Sequence, residues 1–325
     1  MPEPDDFHDL STLRMFRVFE HFSDRHLSVL FQLCTPRTVE EGDELFGEGN
    51  RGEEFLILLS GGVSASRRTM VGPQPVARLR MGQMVGEESF LDGLDRPATV
   101  VANQPGLVLR ADVERLRRIF GVLQGFDVAL LRSFWLSLSG KIRQVNGFLA
   151  ELAASGREAS RPKERAEGTS VDLQPSAKLG VFAEQGLSSA ELKLLATTLP
   201  ARRFSPESMI FFEGDRGDCL YVVVDGEVRI SRRLAGAGEE TLSVLGRGEV
   251  FGEMALIDDL PRSADARAEA SGCTVLKLSR DDLSELMELE GAAPAFLQLL
   301  CHLLCRRYRA MIEMLVSRRV MAGVS

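Results

Sequence analysis

The chain has 325 residues, of which 44% are hydrophobic and 26% charged, so it is long enough to form two globular domains. Its net charge of −8 and pI near 5.3 argue against a broad phosphate-binding surface, and nucleic acid is not an expected partner. The acidic N-terminus lacks the pattern of a signal peptide, and no apolar run is long enough to span a membrane. We therefore expect a cytoplasmic protein with no membrane partner.

The cysteine content favours reduced thiols over a disulfide framework. Five cysteines are scattered along the chain, and their number is odd. Cys301, His302 and Cys305 invite a metal reading, but thiols one helical turn apart among leucines are more often packing residues. We expect no metal site.

The N-terminal part alternates between helical and strand patterns. Apolar residues at helical intervals from 10 to 34 predict short helices, which Pro36 and Gly42 end. Brief apolar runs punctuated by Gly and Pro predict hairpins from Val39 to Val108. Helical spacing returns from Asp112 to Leu152. The stretch 153–174 is rich in charged and small residues, has little to bury and is predicted to be a linker.

The same pattern then starts again. Gly49 and Gly61 match Gly214 and Gly226 at an offset of 165 residues. Three more matches follow at an offset of 166: Gly86 with Gly252, Glu87 with Glu253, and Arg96 with Arg262. One extra residue should therefore lie in a hairpin tip of the second copy, near Gly236 and Gly238. We predict domains at 10–152 and 175–320.

The second copy contains short strands and two further helices. The predicted strands are Ser208–Phe212, Leu220–Val224, Val228–Leu234, Thr241–Leu245 and Cys273–Leu278. Helices should follow from about Asp281 to Leu289 and from Pro294 to about Arg318. Many short strands with Gly turns are typical of a sandwich or jelly roll.

The segment 251–266 carries the clearest functional signal. Gly252 precedes a short apolar run, where the backbone can turn into a helix with its N–H groups pointing outward, as an anion requires. Pro261 ends that run and brings Arg262 back toward it, nine residues after Glu253. A guanidinium binds phosphate oxygens, and a carboxylate accepts from a sugar hydroxyl. The predicted ligand is a phosphorylated sugar.

These residues carry a family resemblance. Gly252-Glu253-Met254-Ala255-Leu256 followed by Pro261-Arg262-Ser263-Ala264 resembles the phosphate-binding cassette of cyclic nucleotide-binding domains. The resemblance implies an α+β protein with two tandem β-jelly-roll (double-stranded β-helix) domains, each flanked by N- and C-terminal helices. It also implies that Glu253 holds the ribose 2′-hydroxyl, while Arg262 and Ser263 bind the cyclic phosphate. We call residues 251–266 the second cassette and the matching 85–100 the first cassette.

The first cassette departs from this pattern. Gly86, Glu87, Arg96 and Ala98 match the family, but Pro97 replaces Ser263 and so lacks both the amide and the hydroxyl donor. Glu88 replaces Met254 and adds an anionic side chain. The first domain is therefore expected to be a weaker site or a structural copy.

The resemblance further implies a lid. In the family a C-terminal helix folds over the base, and here the helix after Pro294 is the candidate, with Arg307 and Tyr308 as stacking residues. Its broad apolar stripe packs partly on its own domain, and the excess suggests a homodimer through this helix. Ser263 favours cyclic AMP, with cyclic GMP or another cyclic nucleotide as alternatives.

We therefore expect a cyclic nucleotide sensor or adaptor that signals to an unidentified effector protein. The competing hypothesis is a ligand-independent scaffold or dimerisation protein. About ten residues follow the last helix, too few for a helix-turn-helix module, so no built-in output domain is expected. The four histidines lie in helical or terminal segments and form no catalytic cluster, so no enzymatic activity is expected.

Overall fold

The computed structural model describes residues 13–152, 164–185, 199–234, 238–289 and 291–323. The chain divides into two compact units by its contacts. The first unit comprises residues 1–145 together with 304–325, and the second comprises 146–303. Gly236, at the predicted insertion, lies outside the described residues, as does 153–163 of the predicted linker.

The first unit contains a β sandwich with helices at both ends of its sequence. Its helices are α1 (Asp24–Leu33), α2 (Glu87–Asp92), α3 (Val113–Arg117) and α4 (Phe126–Leu152), the last of which continues beyond residue 145. Its strands are β1 (Cys34–Val39), β2 (Glu44–Phe46), β3 (Glu54–Leu58), β4 (Gly62–Arg67), β5 (Gln74–Arg80), β6 (Met84–Val85), β7 (Thr99–Gln104) and β8 (Gly106–Asp112).

These strands form two antiparallel four-stranded sheets, in the orders β1-β8-β3-β6 and β2-β7-β4-β5. Phe55 to Leu59 are all at most 1% exposed, so this apolar run lies in the core. The helical pattern predicted for residues 10–34 ends with α1 at Leu33. Pro36 lies inside β1, so the strands begin earlier than the predicted start at Val39. Proline is tolerated in β1 because this is an edge strand, which pairs only with β8 within its sheet.

The second unit repeats this architecture with longer strands. Its elements are β9 (Thr169–Val171), α5 (Pro175–Glu184), β10 (Ala201–Phe204), β11 (Met209–Phe211), β12 (Cys219–Leu234), β13 (Gly238–Leu245), β14 (Val250–Phe251), α6 (Met254–Asp258), β15 (Asp265–Ser279) and α7 (Arg280–Met287). The long strands β12 and β15 pair with each other and with the shorter ones. Both units thus have the α+β jelly-roll fold expected from the sequence.

Two registers locate the extra residue of the second copy. Arg67 pairs with Gln74 in the first hairpin, and Arg232 pairs with Glu240 in the second. The leading strands of the two hairpins, β4 and β12, match at an offset of 165 residues (Arg67 with Arg232). The returning strands, β5 and β13, match at an offset of 166 residues (Gln74 with Glu240). The insertion therefore lies between Arg232 and Glu240, in the predicted tip.

Part of the predicted linker is a strand. Thr169–Val171 forms β9 and pairs antiparallel with β10. The strand is mostly exposed, so its sequence carries no apolar alternation. Backbone pairing to β10 creates it, and composition could not reveal it.

Helix α8 (Ala292–Ala322) extends beyond the predicted helix on both sides. Its residues 292–303 belong to the second unit, and its residues 304–322 belong to the first. Met311, Ile312 and Leu315 are at most 2% exposed in the single chain. The apolar stripe therefore needs no second copy of the chain to cover it.

Candidate functional site

Backbone hydrogen bonds fix the arginine of each cassette. Arg262 N donates to Asp215 O at 2.9 Å, and its carbonyl accepts from Gly214 N at 2.9 Å. The first cassette repeats this arrangement: Arg96 N donates to Asn50 O at 2.9 Å, and Gly49 N donates to Arg96 O at 3.1 Å. The loop after the second strand of each repeat thus sets the position of the arginine Cα.

The side chain of Arg262 is anchored in the second cassette by two carbonyls and an aromatic ring. Its Nη1 donates to Gly252 O, and its Nη2 donates to Cys219 O at 2.8 Å. Its Cζ lies 4.3 Å from the ring centroid of Phe211, within cation–π range. The side chain is 5% exposed, so this cation is largely desolvated.

Arg96 is held in the same way. Its Nη1 donates to Gly86 O at 2.8 Å, its Nη2 donates to Glu54 O, and its Cζ lies 3.7 Å from the ring centroid of Phe46. The partners match those of Arg262 position by position. The arginine seat is therefore a property of the repeated fold.

Gly252 is needed for the close approach of Arg262. Its φ of +78° lies in the left-handed region, and a Cβ placed on it would lie 2.5 Å from Arg262 Nη1 and 3.2 Å from Cζ. Any side chain here would displace the guanidinium. The sequence prediction that this glycine permits a close approach is consistent with the geometry.

The other predicted residues of the second cassette surround this arginine. Glu253 is 1% exposed and directly precedes α6, while Met254 and Ala255 form the first turn of that helix. The first N–H groups of a helix have no acceptor within it. Ser263 is half-buried, and its Oγ lies 3.9 Å from Met254 Sδ. The structure therefore brings the two halves of the cassette together.

The second cassette fits an anionic ligand by its remaining donors. A guanidinium has five N–H groups, and the two carbonyls take one from each Nη. Within the residues described here, the buried Nε of Arg262 has no hydrogen-bond partner. A phosphate oxygen would satisfy it, since an unpaired buried donor costs about 1–3 kcal/mol.

The equivalent carboxylate of the first cassette is already paired. Glu87 Oε1 accepts from Ser137 Oγ and Oε2 from Lys141 Nζ, each at 2.7 Å. Lys141 also donates to Glu88 Oε1 at 2.5 Å. All three ionised side chains are at most 4% exposed. Glu88 thus neither opposes an anion directly nor points to solvent, because it is one member of a buried ion triad.

The pKa shifts follow from this packing. Burial and then the charge of Glu88 raise the pKa of Glu87 above its usual range. Burial opposes ionisation of Glu88 too, but the charge and hydrogen bond of Lys141 outweigh it and lower that pKa. Burial would lower the pKa of Lys141, yet the two carboxylates raise it, so the ammonium form is maintained.

Tyr308 closes the cavity of the first cassette. It is 3% exposed, and Lys141 Nζ lies 5.8 Å from its ring centroid. Together with Arg96, Pro97 and Ala98 it lines a cavity of only about 20 Å³. That space suits about one water molecule, whereas small-ligand pockets start near 300 Å³. A cyclic nucleotide does not fit the first cassette in this arrangement.

Further contacts hold residues 304–322 of α8 in the first unit. Arg309 Nε donates to Asp92 Oδ2 at 2.7 Å, and Arg309 Nη1 donates to Asp95 O at 2.9 Å. Arg67 Nη1 and Glu313 Oε1 are 2.6 Å apart. The helix is thus tied to the segment that follows α2.

The base-contact prediction does not fit this placement. Arg307 and Tyr308 were predicted to stack on a base held in the second domain, but both belong to the first unit. Helical spacing from Pro294 located α8, yet it could not say to which unit the far half of that helix belongs.

Sequence reasoning missed Lys141, Phe211 and Phe46. Lys141 lies on the apolar face of its helix, at helical spacing from Phe134, Leu138 and Val145. A cation on such a face was a usable signal of a paired carboxylate. The two phenylalanines share the offset of 165 residues, so the repeat could have identified them. In the described ranges, no group of three or more His, Cys, Asp or Glu side chains is placed to hold a metal ion, and no helix has the length and apolarity of a membrane span.

Fold and site together define a tandem jelly-roll protein with an equivalent cassette in each repeat. The sequence profile described as "Cyclic nucleotide-binding domain" matches residues 36–121 and 201–290, which is more than half of the chain. The chain belongs to the cyclic nucleotide-binding domain family, as its cassette residues indicated.

Two relatives illustrate the range of the family. The chain is 39% identical over 124 residues to the cyclic AMP receptor protein of Thermus thermophilus, covering 38% of this chain and 56% of that protein. It is 25% identical over 271 residues to the cAMP-dependent protein kinase regulatory subunit of Yarrowia lipolytica, covering 83% of this chain and 58% of that one. The chain thus spans under two thirds of the length of these relatives.

Among solved structures, the regulatory domain of Toxoplasma gondii PKA with cAMP is similar at 21% identity. The match covers 91% of this chain and 97% of that chain, with a TM-score of 0.34.

Proposed function

We propose that the chain is a cyclic nucleotide sensor that binds cyclic AMP in its second domain and signals to a partner protein. The observation that carries this is the Arg262 seat, where a desolvated guanidinium donates to the carbonyl of Gly252, the residue directly before the buried Glu253. Among the described residues Arg96 Nε is unpaired like Arg262 Nε, so the choice of the second domain rests on the first cassette, whose cavity of about 20 Å³ is closed by Tyr308. The names of the relatives, a cyclic AMP receptor and a cAMP-dependent kinase regulatory subunit, support this ligand and a non-catalytic role.

The roles follow from the chemistry of each group. Arg262 and the amides of Met254 and Ala255 bind the cyclic phosphate, with Ser263 as an additional donor. Glu253 accepts from the ribose 2′-hydroxyl. Gly252 keeps the backbone close enough for these contacts. The first domain serves as a structural copy, because Lys141 and Ser137 already occupy Glu87.

The signal passes through α8. Ligand in the second domain favours one position of residues 292–303, and these continue without a break into residues 304–322, which are held in the first unit. The partner reads the resulting change in the first unit. A kinase catalytic subunit is the partner class suggested by the relatives' names.

The test is titration calorimetry of cyclic AMP into the full chain. We expect one site per chain, and we expect Arg262→Ala to weaken it by 2–5 kcal/mol, or roughly 30-fold to several thousandfold. Arg96→Ala is the matched control and should leave the affinity unchanged. If Arg262→Ala proves unstable, Glu253→Gln tests the same site, since it keeps the shape of the site and should also weaken binding. Two equal sites, or loss of binding with Arg96→Ala alone, would assign the ligand to the first domain.

The scaffold alternative makes the opposite prediction. If the chain is a sensor, the amount of partner that the full chain captures should change when cyclic AMP is added. In the Arg262→Ala variant, cyclic AMP should not change that amount. Identical capture with and without ligand would favour the scaffold. Parallel titration with cyclic GMP decides the base preference.

A further inference from the structure

A cavity of the second unit is lined by Arg262 but by no other residue of the second cassette. Its volume is about 270 Å³, and its walls come from β10, β11, β12, β15, the segment 165–167 and the loop around Arg216. Gly252, Glu253 and Ser263 are not among its lining residues.

Unpaired cations dominate this cavity. Four basic side chains besides Arg262 line it: Arg165, Arg202, Arg216 and Lys277. The lining carboxylates are those of Glu167 and Asp218, so with Arg262 counted the five cations exceed the two anions by three charges. Within the described part of the chain, none of the four side chains makes a hydrogen bond or an ion pair.

The first unit supplies an internal comparison. Its corresponding cavity, of about 310 Å³, contains Arg51, Arg96 and Arg110. The last of these is the counterpart of Lys277, because Arg110 pairs with Leu56 as Lys277 pairs with Tyr221.

The carboxylates of the first cavity balance its charge. Glu44, Glu53 and Glu54 match the three arginines in number. Glu54 Oε2 also binds Arg110 directly, 2.5 Å from Nη2 and 2.9 Å from Nε. In the second repeat Met209 replaces Glu44 and Cys219 replaces Glu54. The second copy thus keeps the cations of this cavity and has lost two of the three internal anions.

We propose that this cavity of the second unit binds a small, multiply charged phosphate anion. Converging guanidinium and ammonium groups bind phosphate oxygens with charge-assisted hydrogen bonds. An anion would also relieve the mutual repulsion of unpaired cations at the cavity. The volume admits a pyrophosphate or a phosphomonoester head group. The proposal does not depend on nucleotide binding by the cassette.

The experiment is titration calorimetry of inorganic pyrophosphate into the full chain at low salt. Arg202→Gln and Lys277→Gln should each weaken binding by about 3- to 10-fold, and the double variant by about 10- to 100-fold. Both residues line this cavity and lie outside the cassette, so their effect separates this site from the nucleotide site. Circular dichroism should show unchanged folding, since neither side chain is paired.

The matched control is Arg37→Gln, which removes the same charge at the position of the first unit that corresponds to Arg202. A second control, Arg51→Gln, removes a cation from the cavity of the first unit. They should leave pyrophosphate binding unchanged. The proposal would be overturned if the wild-type chain gave no heat of pyrophosphate binding, or if the controls lost as much affinity as the test variants. It would also be overturned if Arg202→Gln and Lys277→Gln left the affinity unchanged. A preference for a polyglutamate peptide over pyrophosphate would overturn it too.

A last measurement identifies the source of the phosphate. Vesicles containing phosphatidylinositol phosphates are added, with pyrophosphate as competitor. Retention on vesicles that pyrophosphate abolishes supports the same cavity with a lipid head group as ligand. Binding of free pyrophosphate without vesicle retention supports a soluble anion.

Discussion

Replacing Lys141 by methionine should strongly destabilise the first unit. Its ammonium group is 2% exposed and lies 2.7 Å from Glu87 Oε2 and 2.5 Å from Glu88 Oε1. Methionine preserves most of the volume but leaves two buried carboxylates without a cation. Breaking a buried ion pair in this way costs about 3–5 kcal/mol. Such a loss is a large fraction of the 5–15 kcal/mol that typically stabilises a domain.

The assay is urea unfolding followed by the fluorescence of Trp135. This is the single tryptophan of the chain, and it lies in the first unit with 1% exposure. Its signal therefore reports this unit even if the second unit unfolds separately. The control Arg118→Met removes an exposed ion pair with Glu114 and should produce no measurable change.

The sign of the pH dependence provides a second check. Without Lys141, burial and mutual repulsion raise the folded-state pKa values of both carboxylates above the unfolded value of about 4.3. The penalty is then complete above the folded-state pKa values and disappears as the pH falls toward 4, because the folded state takes up protons first. The deficit of the variant should therefore shrink on acidification. Replacing Glu87 and Glu88 by glutamine in the same chain should recover part of the stability.

A deficit below about 1 kcal/mol, or one that grows as the pH falls, would contradict the buried triad. It would mean that the lysine is solvated and that the first cassette remains open to a ligand.

Two other predictions concern the second cassette and the N-terminal helical region. Gly252→Ala should weaken cyclic AMP binding at least about tenfold by displacing Arg262, while Gly246→Ala, with open space around its Cβ, should not. Titration calorimetry of both variants checks this, and equal affinities would refute the close approach. Burial, and then the charge of Arg132, lower the pKa of His21 to about 4. Between about pH 6.5 and pH 4 only the unfolded state therefore gains the proton, so the free energy of unfolding of the first unit should fall as the pH drops through this range. His21→Gln should remove about 1–2 kcal/mol of that acid sensitivity, after allowance for partial exposure, and an unchanged Trp135 unfolding profile across this pH range would count against it.

The short-range pattern predicted the repeat, the fold class and the residues of both cassettes. These features depend on local backbone chemistry: Gly252 at a positive φ, a short helix directly after it, and a proline that returns the chain to Arg262. The anchoring of the arginine was less visible. Its partners Cys219 O and Phe211 lie 43 and 51 residues away in sequence, so only strand pairing brings them together.

The amino-acid sequence by itself determined that two copies of one domain exist and that the second has the more complete cassette, because glycines and charged residues at fixed spacing need no distant partner to be recognised. Only the tertiary structure decided that Lys141 neutralises Glu87 and Glu88, and that the far half of α8 closes the first cavity with Tyr308. An apolar stripe specifies that a helix is buried, but the surface that buries it depends on long-range packing. For the same reason the sequence did not reveal that Arg307 and Tyr308 belong to the first unit.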